Sequence, residues 1–276
     1  MKITARIAGI ATAVALAATL AACSSSTPAA EAGAAAVKDL GTIKVGALQT
    51  PAGDILKYVN DTLAKKAGLN IEFVPFTDYN TPNTALADGS IDANLFQNST
   101  FLKTFNTATS GDLVSAGEVY LPTAAFYSDK LTSLKQLKRG ATIAIPSDPT
   151  NEGRALKILA SKKLIETTAE PTKLSDITAN PNKYVFKEID NATLARSLPD
   201  VDTAFVTISF ALPAGLTAKQ AILIEPSDSP YYNVLATTPK LEKDPRVAAL
   251  YKLLRSAEAQ KFMDTTWGGL VVPFTK

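Results

Sequence analysis

The chain has 276 residues, with 28 lysines and arginines against 26 aspartates and glutamates and no histidine. Near balance of charge leaves no basic stripe of the kind that nucleic-acid binders carry, so no nucleic-acid partner is expected. Without histidine there is no Ser-His-Asp or Cys-His centre and no His-ligated metal, and a single cysteine, Cys23, excludes a disulfide framework.

In chain order, Lys2 and Arg6 precede an uncharged, weakly apolar stretch over residues 7–20, followed by Ala21, Ala22 and Cys23. That core fits the roughly 7–15 residues of a signal h-region and falls short of the ~20 needed to span a bilayer. Residues 1–22 are therefore predicted to be a signal peptide. Leu20-Ala21-Ala22-Cys23 resembles the bacterial lipoprotein box, which implies lipid (palmitate-type acyl chains) on Cys23. Two or three such chains, at about 0.8 kcal/mol per buried methylene, would hold the protein on the extracytoplasmic face of the cell membrane. Residues 23–40 are expected to form the lipidated N-terminus and a tether, because residues 24–37 are small, polar or Ala-rich without apolar periodicity. Loss of residues 1–22 removes Lys2 and Arg6 and brings the formal charge from +2 to zero.

The body alternates β-rich runs with helix-period stretches, which signals an α/β fold. Residues 42–47 alternate like a strand. Ile55, Leu56, Val59 and Leu63 share a helical face within residues 54–67, Gly68 ends that helix, and Ile71 to Val74 resume a strand. This is a βαβ unit with parallel strands. A helix over 81–87, a strand over 91–96 and a helix over 101–109 follow. The extended run over 113–127 is too long for one ordinary strand, so Pro122 is read as a crossing between two lobes. A second lobe then takes a strand at 141–145, a helix at 152–162, a strand at 185–189, a helix at 192–198, and strands at 203–207 and 221–224. A return strand over 233–238, helices over 244–255 and 257–265, and a last extended segment over 270–274 complete the chain, the helices packing on the first lobe. The expected organisation is a first lobe of residues 41–122 and 240–276 and a second of residues 123–239, with a ligand cleft between them.

Catalysis finds little support. No Ser-x-x-Lys stretch sits at a strand-to-helix turn, and neither a Walker pattern nor a G-x-G-x-x-G loop is present. No catalytic residue, metal or cofactor is expected. The informative segment is Ile143-Ala144-Ile145-Pro146-Ser147-Asp148-Pro149-Thr150-Asn151-Glu152-Gly153-Arg154. Asp148 is a good N-cap and Pro149 a good first helical residue, so the amides of Thr150 and Asn151 are expected to face an anion at the helix start. Arg154 either holds a ligand carboxylate with its planar fork or pairs locally with Glu152 or Asp148 on a solvated face.

From this segment the chain resembles the NlpA/MetQ family, the methionine-binding lipoproteins of ABC importers. The similarity extends to Phe76-Thr77-Asp78-Tyr79, Pro82-Asn83-x-Ala85-Leu86, residues 91–97, Asp228-Ser229-Pro230-Tyr231 and Gly268-x-x-Val271-Val272-Pro273. It implies a type 2 periplasmic-binding-protein fold. It also gives Arg154 the ligand carboxylate with Asn151 beside it, surrounds an apolar side chain with Tyr79, Phe96, Phe101 and Tyr127, and makes Asn233 a polar contact. Two positions depart from the family pattern: Asn98 replaces a usual His, and Thr207 replaces the Asn that contacts the ligand's amino group. Thr207 offers only a short hydroxyl, so the ammonium would lose about 1–3 kcal/mol. The resemblance implies an amino-acid ligand, methionine or a related carboxylate, delivered to an ABC permease with a separate ATPase subunit. Removal of the Arg154 side chain is expected to abolish binding and leave the fold intact. The departures also open a second reading, a surface interaction lipoprotein that kept the fold and lost the small-molecule site.

Overall fold

The computed structural model describes residues 38–275; the expected signal segment, Cys23 and most of the tether lie outside those residues. Strand β1 (Gly41–Leu48) runs parallel to β2 (Leu69–Phe76), pairing Gly41 with Leu69 through to Leu48 with Phe76. Between them α1 (Asp54–Thr62) buries Ile55, Leu56 and Val59, the apolar face read from the sequence. A 3-10 turn at Ala64–Ala67 follows, and Gly68 ends it at φ 67, in the left-handed region where a residue without Cβ is favoured. Next come α2 (Pro82–Ala87), β3 (Ala93–Asn98) and α3 (Ser99–Thr109).

The long extended run divides where Pro122 predicts. Strand β4 (Val114–Pro122) stays in the first sheet and β5 (Ala124–Tyr127) enters the second. The second lobe continues with β6 (Thr142–Pro146), α4 (Pro149–Ser161), a small antiparallel pair β7 (Glu166–Thr167) and β8 (Ile177–Ala179), β9 (Val185–Ile189), and α5 (Asn191–Leu194), prolonged by a 3-10 turn. It closes with β10 (Thr203–Thr207), the one-turn α6 (Ile208–Ala211) and β11 (Ala221–Ile224). The chain then returns through β12 (Asn233–Thr237), α7 (Pro245–Leu254), α8 (Ala257–Trp267) and β13 (Val271–Pro273).

Among the described residues the first lobe holds a six-stranded sheet in the order β13-β4-β12-β3-β1-β2 and the second a five-stranded sheet in the order β11-β5-β10-β6-β9. Every residue of β12 is buried, which demands an interior place, and the strand fills the gap between β4 and β3. The return to the first lobe therefore precedes Asn233, earlier in the chain than the expected break after residue 239. As expected, the C-terminal helices cover the first lobe: Val247, Leu250, Leu254, Ala259 and Met263 join Ile43, Val45, Ile55, Leu56 and Val59 in one core. The second lobe has cores on both faces of its sheet, one around Phe126, Ile143, Leu156 and Phe205 and one around Ala144, Leu194, Leu198 and Val206. No helix among the described residues is long and apolar enough to cross a membrane.

Candidate functional site

The carboxyl ends of β3 and β10 and the start of α4 converge between the lobes. Asp148 caps α4, its carboxylate accepting from the Asn151 backbone N–H at 2.9 Å, and Pro149 is the first helical residue. That much follows the sequence. The anion site expected at the Asn151 amide does not: Asp148 already takes that N–H, and it accepts from the Asn151 Nδ2 at 3.1 Å and the Asn191 Nδ2 at 2.7 Å. A carboxylate of the chain itself complements the helix end. Gly153 is required one turn on, because a Cβ there would lie 2.0 Å from the Pro171 carbonyl oxygen.

Arg154 is 2% exposed, and its partner is neither Glu152 nor Asp148. It pairs with Glu225, seventy-one residues away: Nε donates to Oε1 at 2.7 Å and Nη2 donates to Oε2. Nη2 also donates to the Pro122 carbonyl at 2.9 Å, and the guanidinium lies 4.8 Å from the centre of the Tyr231 ring. Glu225 in turn accepts from the Ser229 hydroxyl at 2.6 Å and the Ala124 N–H at 3.0 Å. The pair is thus saturated with charge-assisted hydrogen bonds, the condition under which burying two charges is tolerable. These bonds use Nε and Nη2; the third nitrogen, Nη1, is not among them.

Arg154 lines a narrow interlobe cavity of about 10 Å³ with Tyr79, Phe96, Gln97, Asn98, Phe101, Pro122, Asn151 and Asn233. That is about the room of one water, so the cleft is nearly filled by its own side chains and a ligand the size of an amino acid requires the lobes to part. Three rings form its apolar wall: Phe96 and Phe101 meet edge to face at 5.7 Å, with Tyr79 at 5.7 Å from Phe96 and 6.0 Å from Phe101. Gln97 is fixed by a buried amide cluster, donating to Asn83 at 2.5 Å and Asn94 at 3.0 Å. Asn98 caps α3 by accepting from the Phe101 N–H at 3.0 Å, and Asn233 donates to the Tyr120 hydroxyl at 3.3 Å. A wider concavity, about 1010 Å³, lies at the opposite end of β3. Its arginine, Arg246, is already bonded to Asp244 and close to Asp92, and it lacks convergent aromatic walls. The smaller cavity is the better site on chemistry, whatever its size.

The lobes touch across this cleft. Tyr79 and Thr207 share a hydrogen bond at 3.0 Å, Thr104 and Thr150 one at 3.3 Å, and Asn80 donates to Asp190 at 3.4 Å. Phe210, on the turn after Thr207, packs edge-on against Tyr79 at 4.8 Å. Burial raises the Tyr79 hydroxyl above its ordinary pKa, with the Thr207 and Ser209 hydroxyls and Arg154 pulling the other way. Tyr79→Phe should lower the unfolding free energy by about 1 kcal/mol, one partly buried hydrogen bond. Equilibrium unfolding in urea measures it, and a change below 0.3 kcal/mol, an order-of-magnitude floor on that same scale, would make the interlobe bond energetically idle.

Arg154, Asn151, Tyr79, Phe96, Phe101, Asn98 and Asn233 are thus brought together at the cavity, and Thr207 stands one hydrogen bond behind it. Tyr127 is not there. It is 3% exposed in the second lobe's core with Ala144, Leu194 and Val206, and burial raises its hydroxyl pKa to about 12. As the last residue of β5 its side chain points to the α5 face of the sheet, a consequence of strand alternation. The sequence gives no site role to Gln97, Phe210 or Glu225, and Pro122 is read from it only as the crossing between lobes. Ser229 and Tyr231 fell inside the Asp228 to Tyr231 motif without a role, and that motif was the only pointer to Glu225 three residues before it.

The family model for NlpA lipoproteins matches residues 43–275. The D-methionine-binding lipoprotein MetQ of Salmonella typhi is 35% identical over 239 residues, 84% of this chain and 88% of that protein. Among solved structures, a periplasmic substrate-binding protein of an ABC transporter from Coxiella burnetii superposes with a TM-score of 0.81 at 39% identity, covering 84% of this chain and all of that one. A nutrient binding protein from Burkholderia cenocepacia bound to methionine gives 0.81 at 37% identity, covering 84% and 100%. The fold shared with them is the two-lobed periplasmic-binding-protein fold.

Proposed function

Because the chain belongs to the NlpA lipoprotein family, we propose that it is the lipid-anchored solute-binding component of an ABC importer, closing its lobes on one amino acid, methionine first among them. The observation that carries this reading is the cavity itself. A guanidinium with Nη1 outside the ion pair stands at one side, and a wall of Tyr79, Phe96 and Phe101 receives an apolar side chain at the other. Asn98, Asn151 and Asn233 supply neutral polar groups between them. The relatives named for methionine support the same cargo. In this reading Cys23 carries the lipid, the body works on the extracytoplasmic face, and a permease with its own ATPase subunit receives the ligand; the chain captures its solute without transforming it.

The body without residues 1–23 should be stabilised by about 2.7 kcal/mol at a methionine concentration one hundredfold above Kd. Scanning calorimetry of thermal unfolding with L- and D-methionine, followed by a panel of other amino acids and short peptides, measures it. An unmoved melting point across the panel would sink transport binding and leave the surface interaction lipoprotein as the better account.

A further inference from the structure

Glu225 sits where both interlobe crossings meet. It follows β11 at the start of the return to β12, its N–H donates to the Ala124 carbonyl at 2.9 Å, and its Oε2 accepts from the Ala124 N–H, the first residue of β5. Ser229, on the same return segment, donates to Oε1, and Arg154 reaches from α4 to both Glu225 and the Pro122 carbonyl that ends β4. One carboxylate therefore fixes the guanidinium against both crossings. Four donors saturate it, so none of its lone-pair positions is left for a ligand ammonium.

The electrostatic consequence concerns the cargo. Among the described residues that line the cavity Arg154 alone is charged, and Glu225 cancels that charge at contact distance. Asp148 adds a second carboxylate at the α4 start, bonded to the cavity residue Asn151. The cleft therefore offers a ligand carboxylate a directed donor without a net positive field. A zwitterion meets that condition at no net charge, whereas an anion adds a third negative charge to a buried site.

We infer that Glu225 is a positioning residue that sets the ligand's charge class: it holds Arg154 at the cavity with Nη1 outside the ion pair, neutralises it, and so restricts the cleft to net-neutral zwitterions against monoanions of the same shape. This rests on the amino-acid-binding reading above. The Glu225→Gln variant keeps size and part of the hydrogen bonding while restoring the unbalanced charge of Arg154.

The test is the ratio of Kd values for methionine and for its des-amino monoanion, 4-(methylthio)butanoate, measured by titration calorimetry on the wild-type body, Glu225→Gln and Glu225→Asp. Wild type should bind the monoanion at least about tenfold more weakly than methionine. Glu225→Gln should move the ratio toward the monoanion by about tenfold or more, the scale of one buried like-charge interaction at an effective dielectric of about 20. Glu225→Asp should weaken both ligands while keeping the wild-type ratio. A purely structural role would lower both affinities in parallel and leave the ratio of Glu225→Gln within twofold of wild type, which overturns the inference. So does a wild type that binds the monoanion as tightly as methionine, a result that needs no variant to fold. Methionine binding with an unmoved ratio defeats only the role of Glu225, whereas absence of binding to either compound defeats the amino-acid reading beneath it.

Discussion

Arg154→Ala should lower the unfolding free energy by about 3–5 kcal/mol in addition to removing ligand binding. The side chain is 2% exposed and its partner's is 1% exposed, so truncation strands a carboxylate in the interior with only Ser229 and Ala124 to solvate it. Breaking one side of a buried ion pair has that magnitude because the remaining charge is uncompensated. The Pro122 carbonyl loses a donor and Tyr231 loses its cation at the same time. An intact fold, the natural expectation for a surface arginine that waits for a ligand, is thus replaced by a destabilised one. Urea unfolding of the ligand-free body measures the loss. Arg154→Met with Glu225→Leu provides the control: removing both charges should recover most of the stability and none of the binding. A single variant within 1 kcal/mol of wild type, well below the scale of a broken buried pair, would show that the ion pair contributes little.

The same pair marks how far the residues could be read without coordinates. Local chemistry was legible: the α1 face, the Gly68 stop, the Asp148 cap with Pro149, and the division at Pro122 all depend on residues adjacent in the chain. The cluster of Tyr79, Phe96, Phe101, Asn98, Asn151 and Asn233 came from resemblance, since nothing in periodicity places residue 79 beside residue 154. Two kinds of feature stayed hidden. One is pairing across the chain, as between Arg154 and Glu225, where a carboxylate near at hand in sequence is no guide to the carboxylate near at hand in space. The other is the face taken by a strand-end aromatic: Tyr127 and Phe96 both end extended runs, yet the first turns into a lobe core and the second into the cleft. Thr207 shows a third effect. Judged as a lone replacement for an amide it offers little, but the fold gives it Tyr79 as a partner, so its hydroxyl serves lobe contact.

The stability of the body should also fall as pH rises from about 4.5 to 7, through Glu152. This residue occupies the first turn of α4, is 2% exposed, and has Oε1 buried without a hydrogen-bond partner among the described residues. Desolvation first, then the charge and carboxyl contact of Glu188, with Asp148 adding to them, push its pKa up to about 7, while the Leu174 backbone N–H pulls it down. A carboxyl whose folded pKa exceeds its unfolded value binds more protons in the native state. Its contribution is therefore complete below the unfolded value and is lost as pH climbs through the folded one. At about 1.4 kcal/mol per unit the whole effect would be roughly 3 to 4 kcal/mol, and screening at exposed Glu188 reduces it to roughly 2. Asp244, held below the usual carboxylate range by Arg246, acts oppositely and only in more acid solution. Urea unfolding of wild type and Glu152→Gln at pH 5 and pH 8 separates these contributions, because only wild type should lose the extra stability at pH 8. Amide exchange at the start of α4 should quicken with it, since Asn151 and Arg154 ride on the same turn. Equal pH slopes for the two proteins would mean that Glu152 is already ionised in the fold at pH 5, with a proton-free route to satisfying its buried oxygen.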